Sequence, residues 1–148
     1  MSTQPLLTQS QINLIRATWT KVTPIADTAA GLFYDRLLEQ NPELKPLFSA
    51  TDMPSQKAKL VKAISLVVNS LDKLDTLLPV IRDLGVRHVD YGARAEHYDM
   101  VGAALLWTLE TGLSEHWNDE VATAWTNAYA LLANVMIDAA EQSVSNVA

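Results

Sequence analysis

Cysteine is absent from the 148 residues, which excludes a disulfide framework, a Cys-based zinc site and a thiol nucleophile. No run approaches the roughly 18 apolar residues that a membrane-spanning helix needs. The opening MSTQPLLTQSQ has neither a cationic nor an apolar segment of the kind found in cleaved leaders, so a cytoplasmic protein is expected. Lys and Arg number 11 against 17 Asp and Glu, for a net charge of −6. With no basic cluster to neutralise several phosphates, a nucleic-acid partner is disfavoured. Glycine (5) and proline (6) are sparse, and neither strand-like alternation nor a hairpin dipeptide occurs, so the fold class expected is all-α with about seven helices. GxSxG, P-loop and GxGxxG motifs are missing too, which leaves nucleophilic hydrolysis and nucleotide binding without support. The three histidines, His88, His97 and His116, form neither HExxH nor Glu-x-x-His pairs, so zinc and di-iron chemistry lack a ligand set.

What is present is a helical pattern long enough for one domain spanning 1–148, with residues 1–8 and 143–148 expected as frayed ends. A chain of this length buries about two thirds of its unfolded surface, so a small ligand can be housed inside. Thr8 and Gln11 have capping-box spacing ahead of Ile12, Ile15, Trp19 and Val22, predicting a helix over about 9–21. Thr23-Pro24 opens a second, with Ala26, Ala30, Phe33, Tyr34 and Leu37 on its inner face. Small residues Ala30 and Gly31 beside Tyr34 would let another helix cross closely. Asn41-Pro42 starts a short turn that ends at Phe48, and Pro54 restarts a helix whose inner stripe is Gln56, Leu60, Ala63, Ile64, Val67 and Leu71. Two long helices are expected over about 94–111 and 117–143, separated by Gly112.

Between them and the Gln56 helix lies the stretch TLLPVIRDLGVRHVDYG, Thr76 to Gly92. Thr76 is expected to cap its helix with Pro79 in the first turn, and Gly92 to end it. Leu77, Ile81, Leu84 and His88 recur at steps of four, three and four, so three apolar side chains and an imidazole share one face. An inward imidazole needs a partner for each nitrogen. A backbone carbonyl can take the N–H; the other lone pair suits a metal, although a hydrogen-bonded core histidine fits the same pattern.

Together Tyr34, Phe48 behind the Asn41-Pro42 turn, Gln56 and His88 resemble the haem pocket of a globin. Phe48 follows Tyr34 by 14 positions and His88 follows Gln56 by 32, and these spacings are similar to those of single-domain bacterial haemoglobins and of the globin domains of flavohaemoglobins. HYDMVG at 97–102 and the pair Trp125 and Tyr129 resemble that branch as well. The resemblance implies a globin fold, a three-over-three helical sandwich around haem b (iron protoporphyrin IX). It makes His88 the proximal iron ligand and Tyr34 and Gln56 the distal pair. Phe48 would pack on the porphyrin, Leu60, Tyr98 and Val101 would line the cavity, and Lys59 belongs to the same cofactor-binding set. Tyr34, Gln56 or Lys59 could ligate the iron internally when no gas is bound. The branch also carries a carboxylate on its last helix that hydrogen-bonds into the proximal network; here Ala140 stands at that position and Glu141 lies about 100 degrees away.

The implied function is reversible binding of O2, CO and NO, as an oxygen carrier, a store or a protection device. Nitric oxide dioxygenation or peroxidase-like turnover is the enzymatic alternative and would need a separate reductase. A haem gas sensor is a third.

Overall fold

The computed structural model describes residues 7–90 and 95–146. Six α-helices and four short 3-10 turns occur among the described residues, with no strand. Helix α1, Gln9–Val22, starts where the capping box puts it: Gln11 N–H donates to Thr8 Oγ1 at 3.1 Å and Thr8 N–H donates to Gln11 Oε1 at 3.1 Å. Its stripe of Ile12, Ile15, Trp19 and Val22 is buried. Each such side chain contributes roughly 1.5–3 kcal/mol by leaving water. Two indoles tie this helix down, Trp19 Nε1 donating to Ser65 Oγ at 3.1 Å and Trp125 Nε1 to Thr18 Oγ1 at 2.9 Å. Arg16 reaches the carbonyls of Val68 and Asn69 and pairs with Asp72 at 3.0 Å. That guanidinium lowers the Asp72 carboxyl below its ordinary value.

Thr23–Ile25 forms a 3-10 turn, with Pro24 in it, before α2, Ala26–Gln40. Pro42–Phe48 is a second 3-10 segment, and α3 spans Met53–Asn69. The Leu71–Lys73 turn leads into α4, Leu74–Asp90, followed by α5, Ala95–Leu113, and α6, Asp119–Asn146. Helix α4 packs along α6, α2 along α5, and α1 against α3, α5 and α6. Helices α3 and α4 hardly touch. No helix among the described residues is long and apolar enough to cross a membrane.

Three local expectations change. Thr76 is no N-cap: α4 begins two residues earlier, and the Thr76 hydroxyl donates back to the Lys73 carbonyl at 2.7 Å instead of accepting from the helix. Pro79 accordingly sits inside the helix rather than in its first turn. Gly112 does not separate α5 from α6, because α5 continues through it to Leu113. The break comes at Ser114, whose φ of 53° turns the chain out of the helix. Gly92, expected to end α4, lies outside the described residues. At the far end α6 runs on to Asn146, past the expected stop near 143.

Close helix crossings occur at other glycines than Gly31. A Cβ at Gly85 would lie 2.7 Å from Met136 Cα, and one at Gly102 would lie 2.8 Å from the Tyr129 ring. At Gly31 the nearest atom would be Lys57 Nζ at 3.7 Å, an ordinary contact.

Candidate functional site

Helix α2 repeats apolar positions at Ala30, Phe33 and Leu37, and Tyr34 falls inside that band, 4% exposed. Its ring is clamped edge-on by two phenylalanines, Phe33 at 4.8 Å and Phe48 at 5.8 Å between centroids. Phe48 comes from the Pro42–Phe48 turn, anchored by buried Leu44. Gln56, half-buried in the first turn of α3, donates from Nε2 to Tyr34 Oη at 3.1 Å. The hydroxyl is thus an acceptor for the amide and keeps its own proton to donate elsewhere. Burial raises the Tyr34 phenol above its ordinary pKa and outweighs the opposing pull of the Gln56 bond. Around this pair pack Met53, Leu60, Met100, Val101 and Leu105, all half-buried.

On α4, the stripe Leu77 and Ile81 is buried and leads through half-buried Leu84 to His88. His88 Nδ1 lies 2.6 Å from the Leu84 carbonyl oxygen. A carbonyl only accepts, so Nδ1 carries the proton and, in the neutral ring, the lone pair sits on Nε2. The imidazole stands 6.3 Å from the Tyr98 ring, tilted by 35°. Tyr98 in turn accepts a 2.6 Å hydrogen bond at its backbone carbonyl from Tyr129 Oη. Burial, assisted by Tyr98 and Asp99, pushes the Tyr129 phenol well above its ordinary value.

The Tyr98 hydroxyl is buried without a hydrogen-bond partner among the described residues. Ala140 is half-buried and offers only a methyl group, while Glu141 is exposed.

The structure gathers the expected residues into two neighbouring groups. Tyr34, Phe48, Gln56, Leu60 and Val101 belong to one; His88 and Tyr98 belong to the other, beside Leu77, Ile81 and Met136. Helices α3 and α5 join the two groups, giving Leu60 and Val101 to the first and Val67 and Tyr98 to the second. Lys59, on the same helix α3, is exposed. His116 is exposed as well, and among the described residues no group of three His, Asp or Glu side chains could hold a metal ion. Sequence reasoning missed Met53, which precedes the expected helix start at Pro54, and Met100, which lies about 100 degrees from Val101 on α5. It also missed the Tyr129 to Tyr98 bond, which a side-chain pattern cannot reveal because its acceptor is backbone.

Similarity to known proteins runs over most of the chain. The Globin family model matches residues 31–136. Flavohemoproteins of Vibrio cholerae and Bordetella parapertussis are 33% and 36% identical over 135 and 126 residues, covering 90% and 84% of this chain. The chain spans only about a third of those relatives, 34% and 31% of their lengths. Among solved structures, a bacterial globin from Campylobacter jejuni is 25% identical, with a TM-score of 0.81 over 93% of this chain and 99% of that one. An engineered carbene transferase from Rhodothermus marinus is similar in fold, with a TM-score of 0.85 at 24% identity over 95% of this chain and 98% of that one. With the family match extending across five of the six helices, the chain belongs to the globin family.

Proposed function

We propose that this protein binds haem b through His88 and takes up dioxygen and other diatomic gases reversibly, as a carrier, a store or a protection device. The residues present suit that group. Half-buried apolar side chains from the Phe48 turn, α3 and α5 line a region where α3 and α4 hardly touch, which fits a flat apolar macrocycle. Phe48, Leu60, Tyr98 and Val101 would border it, with Lys59 at the exposed side. Haem, when bound, supplies an iron centre at which dioxygen, carbon monoxide and nitric oxide coordinate reversibly.

The chain's own contribution is orientation and polarity. Leu84 holds the His88 ring through Nδ1, so that Nε2 is the nitrogen for the metal and the imidazole cannot swing. Tyr34 and Gln56 supply an O–H and an N–H donor for a ligand atom with partial negative charge; each such bond to a charged acceptor contributes roughly 1.5–3 kcal/mol. Carbon monoxide, less polar, gains less. The raised pKa of Tyr34 keeps its proton on the oxygen throughout the physiological range. The observation that carries this reading is the Gln56 to Tyr34 bond at 3.1 Å, which aligns both polar groups inside an otherwise apolar cluster.

The test is an absorption spectrum of the purified protein, where an intense Soret band that shifts under O2 and under CO is expected. His88→Ala should abolish both pigment uptake and gas affinity; retention of either at the wild-type level would overturn the assignment.

A second reading, oxidation of nitric oxide to nitrate, is favoured by the flavohemoprotein relatives. Nitric oxide and dioxygen give nitrate with one electron supplied per turnover, so a source of electrons is required. Stopped-flow decay of the oxygenated protein on adding nitric oxide, with nitrate counted against reductase supplied, separates the two: a single turnover with no reductase-driven recovery favours binding alone.

A further inference from the structure

Charge is divided unevenly among the helices. In a chain of net charge −6, α3 holds Lys57, Lys59 and Lys62 and no Asp or Glu, while α5 and α6 together hold seven carboxylates and no Lys or Arg. A solvated helix face commonly mixes the signs, as α4 does with its Arg87–Asp83 pair at 2.9 Å. Lys57 is half-buried and lies against α2, its Nζ 3.7 Å from where a Cβ on Gly31 would stand. Lys59 and Lys62 are exposed, and neither pairs with a carboxylate among the described residues. Leu66 continues their line: positions 59, 62 and 66 of an α-helix fall within about 60° of arc and about 10 Å of length. At 46% exposure Leu66 is also the most exposed large apolar side chain among the described residues. The band they form is turned by about 100–160° from Leu60, which packs with Phe48 and Val101 around Tyr34. A helix is about 10–12 Å across, so less than one helix width separates the band from that group.

We propose that the Lys59, Lys62 and Leu66 face of α3 docks an acidic protein electron carrier, which returns oxidised haem iron to the ferrous state. Docking depends only on the face; electron delivery rests on the haem reading above. Lysines around one exposed leucine have the make-up of a small transient interface, an apolar contact within a charged rim. Weak redox encounters sit at that low end of interface size, under about 1,200 Å². The sign of the charges fixes the sign of the partner. At about 0.1 M salt the screening length is about 10 Å, so a partner seated on this band is drawn by the lysines beneath it although the whole molecule is anionic. Asp72, which follows α3, is already paired with Arg16. The transfer balances as a single electron: the carrier is oxidised by one, the ferric iron is reduced by the same one, and no bond or proton changes place.

Flavodoxin, an acidic one-electron carrier, is the probe. Titrated in its oxidised form into the full-length, nitrogen-15-labelled protein in the carbon monoxide form, it should shift the amides of Lys59, Lys62 and Leu66 most, and saturably. Stopped-flow reduction of the ferric protein by reduced flavodoxin, followed at the Soret band, should slow as salt is raised; repulsion by the net negative charge would instead make the rate climb with salt. Lys62→Glu should lower the bimolecular rate about tenfold at low salt. Leu66→Ser should weaken docking and leave its salt dependence in place. Both variants should keep the helix content, Soret band and carbon monoxide affinity of the wild type, which separates lost docking from lost folding. Docking on this face is overturned if the shifts are absent or fall on α5 or α6, or if vesicles of anionic phospholipid shift the same amides and displace flavodoxin, which marks the band as a membrane contact. Electron delivery is overturned if the rate climbs with salt or if Lys62→Glu is reduced as fast as the wild type. A wild-type chain without a Soret band would count against haem binding and would leave the shift mapping readable.

Discussion

On the haem reading proposed above, Tyr34 is the residue on which gas discrimination turns, because it is a buried donor whose acceptor side is already taken by Gln56. Removing that hydroxyl in Tyr34→Phe leaves the packing against Phe33 and Phe48 and deletes one hydrogen bond to the ligand. The dioxygen dissociation rate should rise roughly ten- to a hundredfold, the kinetic equivalent of a lost charge-assisted bond; the carbon monoxide rate should change far less. Stopped-flow displacement of each gas measures both, and equal changes would show that the hydroxyl does not sense ligand polarity. Tyr129 makes a second case at the same scale. Its phenol pKa is raised by burial above the ordinary value of 10.0, so the folded chain keeps a proton that the unfolded chain releases. That contribution is complete below about pH 10 and is lost as pH climbs further, by at most about 1.4 kcal/mol per pH unit for one group. Urea midpoints measured from pH 8 to 11 should therefore fall more shallowly in Tyr129→Phe than in the wild type. Tyr34, Gln56 and His88 were legible in the sequence because a helical period assigns a polar residue to an inner face without reference to its neighbours. The partnerless Tyr98 hydroxyl was not legible in the sequence, since burial of a single atom depends on which helices meet there.

Elements were read from the sequence about as far as caps and periods reach. The capping box at Thr8 has one geometric meaning and fixed the start of α1. Thr76 had two: the same hydroxyl can accept from a helix start or donate back to the preceding turn, and here it donates to Lys73. Glycine was more ambiguous still. Gly112 looked like a break and is helical, while Gly85 carried no signal in the sequence and is where α4 meets the backbone of α6. The two kinds respond oppositely to alanine. At Gly85 the added methyl would meet the backbone of Met136, which cannot swing aside, and overpacking of that kind costs about 1–3 kcal/mol. At Gly31, in the interior of α2, the only nearby atom is the mobile end of Lys57, so alanine gains about 0.5–1 kcal/mol of helix propensity. Thermal melts should show Gly85→Ala below and Gly31→Ala above the wild type. A stabilised Gly85→Ala would mean that α4 and α6 are further apart than described.

Across the whole molecule, burial is uneven. Five of the 14 residues of α1 are buried, but only Val68 is buried among the 17 of α3. The inner stripe of α3, Gln56, Leu60, Ala63, Ile64 and Val67, is half-buried throughout, so this helix receives less stabilisation from protein contacts than the helices around it. Segments with few buried apolar groups open first. A group that binds only the folded state adds stability by mass action, and it adds most where it supplies the missing contacts. Amide hydrogen exchange should accordingly separate the helices. In protein stripped of haem, the amides of α3 should exchange much faster than those of α1 and of the Val121–Ala133 stretch of α6, whose side chains Val121, Ala124 and Trp125 are buried. Adding haem should slow α3 selectively, with the effect strongest near Leu60 and Ile64. Uniform protection across all six helices would mean instead that the prosthetic group stabilises the core as a single cooperative unit, and that α3 owes its order to the same packing as α1.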